Sequence, residues 1–109
     1  MRHLLTIAAA LAAMAPGLTG ALAQEADIAH GKALVETNCA QCHGVGETDA
    51  SPHPAAPPFR ELSERYPIDA LEEAFAEGIV TGHEDMPEFE ATPQQIADII
   101  AYLASIQPE

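Results

Sequence analysis

The chain has 109 residues, with seventeen acidic side chains against four basic ones and a formal net charge of −13. That length holds one small domain and excludes a multidomain enzyme, while the acidic excess argues against nucleic acid, whose phosphates it would repel. With no Trp, three Phe and two Tyr, few large side chains are available for a core, which points to a core completed by something other than protein.

Arg2 and His3 precede an almost unbroken apolar run over residues 4–15. Pro16, Gly17 and Gly20 interrupt it, and Ala21, Leu22 and Ala23 follow as a small-x-small cleavage signal. This is the pattern of a secretory signal peptide over residues 1–23, cleaved after Ala23. A retained span would need about 20 apolar residues, and no Cys sits at the cleavage site to carry a lipid. The expected mature protein, residues 24–109, is a single domain that keeps all seventeen acids against Lys32, Arg60 and Arg65. It has no further segment long enough to cross a bilayer, so the reading is an exported, soluble, periplasmic protein.

Residues 25–37 suit a first helix, with Ile28, Gly31 and Val35 on one face and Leu34 beside them. Gly31 lowers helix propensity but lets another backbone approach closely. Residues 44–58 carry Gly44, Gly46, Pro52, Pro54, Pro57 and Pro58, which rule out a continuous helix or central strand. So long an irregular stretch in a small domain is usually a functional loop. Residues 59–66 predict a short helix. Pro67 then opens another, with Ile68, Leu71 and Phe75 on one face and Gly78 as its stop. Residues 79–91 again predict a loop. The last helix is the clearest: Thr92 as N-cap, Pro93 at the first helical position and Gln95 closing a capping box. Ile96, Ile99, Ile100, Leu103 and Ile106 make its apolar stripe. No strand alternation or repeat is present, and the fold class is all-α, three to four helices with two long loops.

Cys39 and Cys42 are the only cysteines, three apart, and His43 follows at once. A disulfide would close a very short loop and constrain little. A thioredoxin-like redox pair would want a preceding strand in a βαβ unit. A zinc site would need another ligand and would have to take His43 at unusually tight spacing. Cys-x-x-Cys-His is also the attachment sequence for c-type haem. Two thiols one helical turn apart add to the two porphyrin vinyl groups, and His43 offers its imidazole to the iron. That reading uses every residue of the motif and agrees with export.

A sixth ligand follows by elimination. Met1 and Met14 leave with the signal, so Met86 is the only thioether in residues 24–109. A lone Met is ordinarily core filler, but Met86 stands among Glu84, Asp85, Pro87 and Glu88, not on an apolar face. His83, three residues earlier, and His53, among prolines, are the alternatives. Both read more simply as solvated loop histidines, and His30 as a surface residue of the first helix.

The sequence around residues 39–44, the Met86-Pro87-Glu88-Phe89 stretch and the Ile99-Ile100-Ala101-Tyr102-Leu103 helix resemble the class I monohaem cytochromes c, over nearly the whole mature chain. The resemblance implies the cytochrome c fold, with helices and long loops wrapped around one haem c held covalently through Cys39 and Cys42. It implies His43 and Met86 as axial ligands. It also implies that the first and last helices cross, Gly31 packing against Tyr102, and that a loop proline, Pro57 or Pro58, accepts a hydrogen bond from the ligand histidine. Arg60, Arg65 and Tyr66 could serve the haem propionates or simply pair with Glu61, Glu64 or Asp69.

The implied function is one-electron transport by a periplasmic carrier, not catalysis. The expected partners are redox proteins with basic patches, a donor dehydrogenase or a terminal oxidase or reductase, met by a monomer in transient complexes. Two alternatives remain: a haem c subunit of a periplasmic dehydrogenase complex, and a haem sensor or enzyme in which Met86 leaves the iron.

Overall fold

The computed structural model describes residues 10, 25–78 and 86–108. The remainder of the expected signal segment, with its cleavage point, lies outside the described residues, as does His83. The element order is α1 (Ile28–Asn38), a 3₁₀ helix (Phe59–Glu64), α2 (Ile68–Ala76) and α3 (Pro93–Ser105). No strand occurs among the described residues, so the architecture is all-α.

The helix α1 starts three residues later than its apolar spacing predicts. The Asp27 carboxylate accepts from the His30 N–H at 3.0 Å, an N-cap that sets the first turn and halts extension toward Glu25. Only Gly31 and Val35 are buried on it. Ile28, expected on the buried face, is 49% exposed, because the partner helix crosses nearer the middle of α1. That partner is α3. A Cβ on Gly31 would fall on the Asp98 carbonyl, so only glycine permits the crossing at this depth. The backbone of α3 at Asp98 and Ile99, one turn before Tyr102, is therefore what Gly31 meets first, in place of the Tyr102 ring.

The segment after Pro58 is a 3₁₀ helix, not an α-helix, and it buries Phe59 and Leu62. Residues three apart eclipse one another in a 3₁₀ turn, which puts both apolar side chains on one side. α2 follows Pro67, which serves as its N-cap position. It ends where Gly78 takes φ of 79°, the left-handed conformation that glycine adopts without a steric penalty. In α3 the predicted capping box is formed: Gln95 N–H donates to Thr92 Oγ1 at 3.2 Å, and Thr92 N–H donates to Gln95 Oε1 at 2.9 Å.

The core is Val35, Val45, Phe59, Leu62, Ile99, Tyr102 and Leu103. Around it Leu34, Ile68, Leu71, Phe75, Phe89, Ile100 and Ile106 pack while remaining only half-buried. α2 buries no residue completely, although Ile68, Leu71 and Phe75 line one face of it. Among the described residues, apolar side chain thus remains at the core boundary that their own packing covers only in part.

Candidate functional site

Residues 39–43 grow directly out of α1. The Cys39 N–H donates to Val35 O at 2.8 Å, Cys42 N–H to Cys39 O at 3.2 Å and His43 N–H to Cys39 O at 2.9 Å. The motif is therefore one turn that carries on from the helix. Both cysteines are free and half-buried, and burial pushes the Cys39 thiol up to about 11. A redox nucleophile is a thiolate, so this environment disfavours that alternative for Cys39. Among the described residues no group of three or more His, Cys, Asp or Glu side chains could hold a metal ion.

The structure chooses between the two prolines. His43 Nδ1 lies 2.8 Å from the Pro57 carbonyl oxygen. A carbonyl only accepts, so Nδ1 carries the proton and Nε2 is the nitrogen with a lone pair. The Phe59 ring packs against the imidazole, centroids 4.7 Å apart and planes tilted by 38°. Backbone bonds hold the surrounding loop: Phe59 N–H to Gly44 O at 2.8 Å and His53 N–H to Cys42 O at 3.1 Å. Gly44 N–H donates to Ser51 Oγ at 2.9 Å. From α3, the Tyr102 hydroxyl donates to Val45 O at 2.5 Å. Burial first, then Glu36, Asp49 and Glu47, raises the pKa of Tyr102 and keeps that donor protonated.

Met86 is half-buried and joins the chain just ahead of exposed Pro87 and Glu88. Phe89, three residues on, meets Phe75 of α2 edge-on at 6.3 Å. The other histidines take different places. His53 is half-buried in its loop, its Nδ1 accepting from the Ala55 N–H at 3.1 Å, not simply facing solvent. His30 is about half exposed, yet its Nδ1 is 2.6 Å from the buried carboxylate of Asp98. Arg60 donates to Asp49 O at 2.6 Å and lies 3.8 Å from Glu61, bracing the loop after His43. Tyr66 is 52% exposed.

Two residues with structural roles escaped the sequence reading. Asp98 accepts from Asp27 N–H at 2.7 Å, His30 Nδ1–H at 2.6 Å and Gln94 Nε2 at 2.9 Å. The Asp27 N–H foremost, then His30, holds its carboxyl below the usual range against the opposing effect of burial. The signal was an acid set inside an isoleucine-rich stripe. Gln107 ties the end of α3 to the 3₁₀ helix, and nothing in its local sequence marks it.

These residues suit a haem. The two thiols one turn apart are free for attachment, the imidazole has its Nδ1 engaged and its Nε2 available, and half-buried apolar side chains remain to be covered. The sequence model of the cytochrome c family matches residues 28–107. The chain belongs to the cytochrome c family. Cytochrome c-552 of Bradyrhizobium diazoefficiens is 34% identical over 96 residues, covering 88% of each chain. A cytochrome c-553-like protein of Synechocystis is 30% identical over 92 residues, covering 84% of this chain and 80% of its own. No solved structure matches the chain. As a cytochrome c, the protein carries covalently bound haem c, with which Cys39 and Cys42 are consistent, and it works as an electron carrier, not an enzyme. No helix among its described residues is long and apolar enough to cross a membrane.

Proposed function

We propose that this cytochrome c is a periplasmic one-electron carrier whose haem is attached through Cys39 and Cys42 and ligated axially by His43 and Met86. The observation that carries the reading is the 2.8 Å bond from His43 Nδ1–H to the Pro57 carbonyl. It selects the tautomer, leaves Nε2 as the donor and raises the basicity of the imidazole. Haem supplies a single Fe(II)/Fe(III) electron step when bound. Met86 contributes a thioether, a soft donor that favours the reduced state and raises the potential. With His43 and Met86 both holding the iron, no place would be left on it for a substrate. The half-buried apolar side chains of α2 and Phe89 would exclude water from a ring lying against them.

The acidic balance of residues 24–109, seventeen carboxylates against Lys32, Arg60 and Arg65, suits steering toward partners with a basic patch around their own redox centre. Export rests on the segment over residues 1–23, and the mass of the protein recovered from the periplasm would show cleavage after Ala23. The decisive experiment is the visible spectrum of the holoprotein with and without carbon monoxide. A low-spin spectrum unmoved by carbon monoxide in the wild type supports the carrier reading. Ready binding by the wild type overturns the Met86 assignment. Electron-transfer rates with a basic partner should fall steeply as salt rises, because exposed charges are screened within about 8 Å at physiological ionic strength.

A further inference from the structure

The Gln107 side chain reaches from the end of α3 to the 3₁₀ helix and satisfies three backbone groups at once. Its Nε2 donates to Phe59 O at 2.7 Å and to Leu103 O at 2.8 Å, while its Oε1 accepts from the Ser63 N–H at 2.9 Å. Two carbonyls can only accept and the amide N–H can only donate, so a single orientation of the carboxamide meets all three. Leu103 belongs to α3, and Phe59 and Ser63 belong to the 3₁₀ helix, so the side chain bolts one element to the other.

The bolted residue, Phe59, is the one that meets His43. Its ring lies against the imidazole face, its N–H bonds Gly44 beside the histidine, and the carbonyl two residues earlier, on Pro57, takes the Nδ1 proton. A six-residue 3₁₀ helix has poor internal hydrogen-bond geometry and holds its place by outside anchors. We infer that Gln107 is a positioning residue for the axial histidine, acting through the 3₁₀ helix to hold the imidazole in one rotation and its Nδ1–H on Pro57. The inference rests on His43 being an axial ligand. Imidazole rotation sets the asymmetry of the ligand field, and the strength of the Nδ1–H bond sets the basicity of the ligand, so a side chain remote in sequence tunes the electron carrier.

The test uses the holoprotein, comparing wild type with Gln107→Leu, which keeps bulk and removes all three bonds, and with Phe59→Leu, which removes the ring contact and some core packing but keeps the backbone bonds of residue 59. Two quantities are read by NMR: the hyperfine-shifted His43 ring resonances of the oxidised form, and the exchange rate of His43 Nδ1–H. The amide of Ile99, in the middle of α3, reports global opening. In Gln107→Leu the ring resonances shift and Nδ1–H exchanges about tenfold faster, as the loss of about 1.4 kcal/mol of hydrogen bonding implies, while Ile99 is unchanged. Phe59→Leu shifts the ring resonances in the same sense. Unmoved resonances in Gln107→Leu, or faster Nδ1–H exchange matched by Ile99, overturn the inference, the role then being structural only. Absence of hyperfine-shifted His43 resonances in the wild type itself overturns the ligation reading, and this inference with it.

Discussion

The histidine side and the methionine side of the site are held by different means. His43 sits in a cradle of directed bonds: Pro57 on Nδ1, Cys39 O on its own N–H and Phe59 tied to Gly44. Tyr102 and Arg60 anchor the loop beyond it. On the methionine side, Phe89 meets Phe75 edge-on, and the chain passes close to Gly78, where a Cβ would come within 3.2 Å of Glu88 Oε1. Directional bonds specify one geometry, whereas apolar contact is non-directional and tolerates sliding. The imidazole is thus oriented by directed bonds of the protein, and under the proposed ligation the Met86 thioether would take its final place from the iron.

Removing the thioether tests this division most severely. Met86→Ala should turn a carbon monoxide-inert haem into one that binds it fully, with a lower reduction potential, while His43 ring resonances persist. Disruption of the histidine side in that variant would break the comparison. Gly31→Ala should come next. The new methyl meets the Asp98 carbonyl and forces α1 away from α3, costing about 3 kcal/mol, measured by denaturant unfolding of the holoprotein. Because α1 leads straight into residues 39–43, the loss should appear on the histidine side first.

Asp98→Asn has a smaller, pH-dependent effect. The folded-state pKa of Asp98 is depressed, so its stabilisation is present above the unfolded carboxylate pKa and is lost as pH falls through the folded value. The variant should be less stable than wild type at neutral pH, with the two converging in acid, as read from unfolding curves at stepped pH. A gap independent of pH would mean that packing, not charge, makes Asp98 matter. The smallest effect is expected for Thr92→Ala, which removes the cap that ends the methionine side and costs about 1 kcal/mol. It should loosen Met86 ligation slightly, seen as faster carbon monoxide uptake, and leave the His43 Nδ1–H exchange rate unchanged.

The elements that were legible beforehand were those written in neighbouring residues. The capping box of α3 needs only Thr92, Pro93 and Gln95, and the stop of α2 needs only Gly78. The start of α1 is set by the Asp27 cap, which the apolar spacing does not register, and the burial of its face depends on where α3 crosses, which Ile28 cannot report. The short helix after Pro58 became 3₁₀ because Phe59 and Leu62 both turn inward, a demand of the core and not of local propensity.

Sequence alone determined the chemistry available: Cys39, Cys42 and His43 in one turn, Met86 as the sole thioether in residues 24–109, and a chain too poor in aromatics to close its own core. Those are properties of residue type and of spacing within a helical turn, which local geometry translates directly. Only the tertiary structure decided that Pro57 and not Pro58 faces His43, that Asp98 joins α3 to the start of α1 from 71 residues away, and that Gln107 holds Phe59 across 48. Such bonds form between groups that meet only after the helices have packed, and each is a choice among many donors and acceptors that the chain order leaves equivalent.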